Sequence, residues 1–172
     1  MASINEGKRQ AHPFNSTLET GIRALIVLDA MYPRRCDLME MTWLDHLVVH
    51  TGDLDGDDVP ESLHPDLPNR VGELLVRRQL VERSLRLMQQ VHLVEVFDTD
   101  AGVEFAAGED APSYVELLRT PYSVALKERA GWMARQLSDM TTAQLRQLID
   151  DRIGRWTAEF RADEAPTGSS II

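Results

Sequence analysis

A chain of 172 residues is long enough for one domain that buries a self-sufficient core. Its formal charge of −10, from 28 acidic and 18 basic residues, disfavours general affinity for phosphate backbones unless the basic groups are segregated. A lone cysteine, Cys36, excludes an internal disulfide or a multi-cysteine zinc site and suits a cytoplasmic protein.

Residues 1–15, MASINEGKRQAHPFN, lack the apolar stretch of a signal peptide and read as a disordered N-terminal segment. Ser16-Thr17-Leu18-Glu19 is a capping-box pattern that opens a first helix. Leu18, Ile22, Leu25, Leu28 and Tyr32 form its apolar stripe, and Pro33 stops it. A second helix starts after Asp37 as N-cap and runs to Thr51, with Leu38, Met41, Leu44, Leu47 and Val48 facing inward and Gly52 ending it.

The segment 52–68, GDLDGDDVPESLHPDLP, is a long acidic loop with three prolines and two glycines. Loops beyond about 12 residues in compact domains tend to be functional or disordered. Asn69 opens a third helix that reaches Gln90, with Val71, Leu74, Leu75, Val81, Leu85 and Met88 on its inner face. VHLVEVF, DTDAG and VEFAA then read as strand, turn and strand, a β-hairpin. A short helix from Pro112 to Leu118 follows, then one capped by Thr120 that ends near Leu137. Thr141-Thr142-Ala143-Gln144 is another capping box, opening a helix to Phe160 that buries Leu145, Leu148, Ile149, Ile153 and Trp156. Residues 161–172 read as a disordered tail. The expected fold is therefore mainly α with a small β-hairpin: a winged-helix-like core over 16–110, with a C-terminal helical extension over 111–160. No apolar run approaches the roughly 18 residues of a membrane span.

The chemistry-bearing patterns are incomplete. His46 and His50 have the i, i+4 spacing of zinc hydrolases, but the Glu that serves there as base is replaced by Leu47. With Asp53 at position 1 of a calcium loop, the glycine of position 6 is Asp58 and the glutamate of position 12 is His64. Cys36 follows Arg34 and Arg35 but has no evident histidine partner. Phosphate-cradling glycine motifs are missing. These patterns give no catalytic residues, metal ligands or cofactor site, and an enzyme is not expected.

Charge is segregated on the third helix. Residues 69–90 hold Arg70, Arg77, Arg78, Arg83 and Arg86 against Glu73 and Glu82, a local +3 that leaves −13 for the remainder. Glu73 to Arg77 and Glu82 to Arg86 have the orientation that stabilises a helix, so a salt-bridged surface helix is one reading. A protein-docking face and a DNA-reading helix are the others. The acidic remainder and the long loop before the helix argue against DNA.

The runs LDHLVVHTGD, SLHPDLPNRVGELLVRRQLVERSLRLM, LVEV and PYSVALKERAGWM, with the QL run after them, resemble the middle components of bacterial ABC three-component systems of the Lamassu anti-phage type. The resemblance covers about residues 16–150, and SLHPDLPNR with GELLVRR is its most specific part. It implies a non-catalytic adaptor between an SMC-like ABC ATPase and an effector of nuclease type, in contact with DNA only within the complex. It supplies no catalytic residues. His64, Asp66, Asn69, Arg70, Glu73, Arg77 and Arg78 lie in the matching motif and are the candidate partner-binding residues. The alternative function is a winged-helix transcriptional regulator.

Overall fold

Three local signals in the sequence place three helix starts. The computed structural model describes residues 16–66 and 69–164, without the side chains of 157–164. Ser16 Oγ accepts from the Glu19 amide at 3.1 Å while Glu19 accepts from the Ser16 amide, a capping box that starts α1 (Thr17–Met31). Asp37 and Glu40 make the same reciprocal pair at the start of α2 (Leu38–Val49). Thr141 and Gln144 repeat it before α6 (Thr142–Glu164), which continues past the expected end at Phe160. Asn69 caps α3 (Arg70–Gln90), and Thr120 caps α5 (Pro121–Leu137) with proline at its first position. α4 (Ala111–Leu117) is the short helix between sheet and α5. The second helix stops at Val49, and a 3-10 turn takes up Thr51–Asp53.

The hairpin pairs β2 (Val94–Thr99) with β3 (Gly102–Ala107), Val94 opposite Ala107 and Thr99 opposite Gly102. Gly102 has φ +121°, where a side chain would be strained, so the turn requires glycine there. A strand not expected from the sequence, β1 (Cys36–Asp37), pairs antiparallel with β3 through Cys36–Phe105 and Asp37–Glu104. The sheet order is β1-β3-β2. The molecule is mainly helical, with this small antiparallel sheet packed against α1, α2 and α3.

α1 packs against both α3 and α5, and α2 packs against α3. Gly21 allows the α1–α3 approach, because a Cβ there would lie 2.7 Å from Met88 Cε and 3.4 Å from the Ser84 carbonyl. The core joins Leu25 and Leu28 of α1, Met41, Leu44 and Leu47 of α2, and Val81 and Leu85 of α3. Met133 and Leu137 of α5 and Leu145 and Ile149 of α6 belong to the same cluster, so the C-terminal helices share one core with the first three. Two expected members of the α1 stripe differ: Leu18 and Tyr32 sit at the two ends of the helix and are 55% and 69% exposed. Residues 1–15 and 165–172, read from the sequence as disordered, lie outside the described residues.

Candidate functional site

The motif at 62–78 is pinned before its helix begins. The amides of Leu63 and His64 both donate to the Val49 carbonyl at 3.0 Å, laying the loop against the end of α2. Thr51 Oγ1 donates to the Pro60 carbonyl at 2.7 Å, and the Gly52 amide donates to Ser62 Oγ at 3.0 Å. Asp66 is exposed, and Leu67 and Pro68 lie outside the described residues. Asn69 then accepts from the Gly72 amide at 2.9 Å. A Cβ on Gly72 would lie 2.6 Å from the Asn69 amide nitrogen, so the glycine makes room for the cap.

From α3, two arginines reach inward to carboxylates. Asp45 of α2 is fully buried and accepts from Arg77 Nη1 at 2.7 Å, Arg23 Nε at 2.6 Å and Arg23 Nη2 at 3.0 Å. Arg77 is 5% exposed, with Glu73 a further 3.6 Å from its guanidinium. Arg70 grips Asp53 with Nε 3.1 Å from each carboxylate oxygen. Asp53 also accepts from His46 Nε2 at 2.8 Å, since a carboxylate has no proton to give. The imidazoles continue outward: His46 stacks on His50 at 4.5 Å, His50 meets His64 edge-on at 5.9 Å, and His64 Nε2 lies 3.0 Å from the Tyr122 hydroxyl. Five elements, α1, α2, the 3-10 turn, α3 and α5, are joined by this one polar network.

Its electrostatics follow from burial. For Asp45, burial alone favours the neutral acid, but Arg23 and Arg77 outweigh it and hold the carboxyl below the usual range. Asp53 is likewise held low, the His46 and Arg70 hydrogen bonds outweighing its burial. Burial lowers His50 to about 3 and His64 to about 4, helped by neighbouring cationic groups, and lowers His46 as well. The histidines are therefore neutral wedges between charged pairs. His46 Nδ1 is buried with no hydrogen-bond partner among the described residues, so the ring is held by one nitrogen and by stacking. Burial pushes the Cys36 thiol up to about 12. Among the described residues, no group of three or more His, Cys, Asp or Glu is placed to hold a metal ion. The arrangement clamps helices together; it has the makings of a positioning device.

The acidic loop is tied down too. Asp55 pairs with Arg152 of α6, the Asp57 carbonyl accepts from Trp132 Nε1 at 3.4 Å, and the Glu61 carbonyl accepts from Arg129 Nε at 2.8 Å.

The other side of α3 is different. In Gly72-Glu73-Leu74-Leu75-Val76-Arg77-Arg78, Leu74 and Arg77 point in, while Leu75 and Val76 are 69% and 71% exposed and Arg78 is exposed. Two expectations are corrected here: Leu75 is outside rather than on the inner face, and Arg77 is inside rather than on an open arginine face. Successive helical residues turn by about 100°, so the doublets Leu74-Leu75 and Arg77-Arg78 can divide between faces, but the pattern does not say which members turn inward. Arg86 pairs with Glu82 at 2.8 Å on the exposed side. Beside Leu75 lies a pocket of about 100 Å³, bounded by Met39, Thr42 and Trp43 of α2, by Leu74, Leu75 and Arg78 of α3, and by Ile149 and Ile153 of α6. Asp45, Asp53 and Arg23 within, and Met39, Ile149 and Ile153 without, are absent from the motif-based residue set. Their roles depend on contacts between elements.

A buried ionic network clamps the helices of a mainly α-helical domain, and apolar side chains stay exposed on α3. The chain belongs to the family of ABC-three component system middle component 2, whose sequence model it matches over residues 13–159. None of the curated proteins matches it, and none of the solved structures does.

Proposed function

We propose that this middle component is a non-catalytic adaptor that couples an SMC-like ABC ATPase to a nuclease-type effector in an anti-phage system of the Lamassu type, in the cytoplasm. Family membership supports the general role. The observation that carries the reading is the division of the GELLVRR helix: Arg77 braces the interior through Asp45, while Leu75, Val76 and Arg78 remain outside. Of the motif residues, Asp66 and Arg78 are the direct contacts. His64, Asn69, Arg70, Glu73 and Arg77 set the position of the surface from behind.

A winged-helix-like core fits the element order, in which a minimal strand precedes α2 and a hairpin follows α3, with sheet order β1-β3-β2. Arg78, Arg83 and Arg86, all exposed on α3, favour a second reading as a DNA-binding regulator. Against it, Arg86 already pairs with Glu82, and exposed Leu75 and Val76 offer nothing to phosphates or polar base edges.

Co-expression of the three components with a tag on this chain tests the adaptor. All three are expected to purify together, and the isolated chain is expected to hydrolyse neither ATP nor DNA. Assembly of the other two without it would overturn the proposal. Salt-sensitive duplex binding by the isolated chain would favour the regulator instead.

A further inference from the structure

The pocket between α2, α3 and α6 has no part in the buried network, and the adaptor reading leaves its occupant unspecified. We infer that this groove receives an amphipathic helix from another component of the system, with one apolar side chain in the pocket and a carboxylate on Arg78. The inference rests on the adaptor reading and deepens it.

Four observations select that occupant. The pocket, of about 100 Å³, accommodates one branched or aromatic side chain, well short of the roughly 300–1,000 Å³ of small-molecule sites. Thr42 and Arg78 are the only lining residues with a polar side chain other than Trp43, and the exposed Arg78 stands at the rim. Met39 and Leu75 line the pocket and are themselves exposed, so its apolar rim reaches the surface and gives a helix a second point of contact. Arg78, in a chain of net charge −10, has no ion pair or hydrogen bond among the described residues, so the rim complements a negative group.

The surrounding walls are helices, whose backbone groups are internally paired, so an extended segment would find no edge to extend. A helix offers what the groove lacks: an apolar residue with Asp or Glu three or four positions away on the same face. A second copy of this chain would bring its own Arg78 and a similarly acidic body, which is poorer complementarity.

The test uses the co-expressed three-component complex. Leu75→Asp and Arg78→Glu are each expected to weaken association at least tenfold, Arg78→Lys to retain most of it, and Leu117→Asp, on exposed α4, to leave it unchanged. Because Leu75 and Arg78 are exposed, each variant is expected to melt with the wild type. Leu75→Cys, labelled with a photo-cross-linker in the assembled complex, identifies the occupant. Capture of a segment from another component with a carboxylate three or four residues from an apolar side chain supports the inference. Undiminished assembly of the Leu75→Asp and Arg78→Glu variants overturns it, as does capture of a second copy, of DNA or of a segment without that pattern; the adaptor reading survives all of these if the wild type assembles. Failure of the wild-type chain to join its two companions removes both.

Discussion

Asp45 answers to two helices at once. It is a fully buried carboxylate that neutralises two guanidinium groups from different helices. Replacing it with Asn keeps the shape but removes the buried charge between Arg23 and Arg77, leaving Glu73, 3.6 Å from Arg77, as the remaining carboxylate of the pair. Breaking such a buried pair typically costs about 3–5 kcal/mol, and urea unfolding of Asp45→Asn is expected to show a loss of that order. The histidines give a different signature. His50 and His64 titrate near 3 and 4 in the folded chain against an ordinary 6.5. The unfolded chain therefore takes up protons first, so stability is complete above pH 6.5 and falls as pH drops towards 4. Asp45 and Asp53, with lowered values, add their loss only below the ordinary carboxylate value of 3.8. The urea midpoint of His64→Gln is expected to vary less than that of the wild type between pH 6.5 and 4. Cys36, buried and pushed up to about 12, is expected to resist aromatic disulfide reagents until the chain unfolds.

At the scale of elements, α3 buries Leu74, Arg77, Val81 and Leu85 and exposes Leu75, Val76 and Arg78, and its crossing with α1 sets how closely the inner face approaches. Gly21→Leu is expected to force the crossing apart, with overpacking of about 1–3 kcal/mol read from thermal or urea unfolding. The same helix shows what the sequence could disclose. Caps at Ser16, Asp37, Asn69, Thr120 and Thr141 were legible, because a cap is settled within three residues of itself. Glu73–Arg77 and Glu82–Arg86 were legible for the same reason. Leu75 was not: periodicity shows that a helix has an apolar side but not how wide an arc its neighbours cover. β1 was not legible either, since two residues are too few to alternate and its partner Phe105 is remote in sequence. The His46–Asp53 and Arg23–Asp45 contacts likewise join separate elements, so the motif drew attention to α3 without revealing which of its arginines face inward.

For the whole molecule, the acidic segment 53–61 works as a strap, joining α3 through Arg70, α5 through Trp132 and Arg129, and α6 through Arg152. In the proposed adaptor role, a lead-in to α3 held this way would lower the entropy lost on docking. Two ion pairs that fasten α6, among the described residues, have a physical character of their own. Arg146 pairs with Asp37 and Arg152 with Asp55, and Asp55 is 83% exposed. Contacts this open to water weaken as ions accumulate around them. Ile149 and Ile153 lie on the helix so fastened, so dissolved electrolyte is expected to loosen α6 at these contacts while buried Leu145, Ile149 and Trp156 keep it in the core. Backbone amides of α6 should accordingly exchange faster in 1 M than in 50 mM sodium chloride, with those of α1 unchanged.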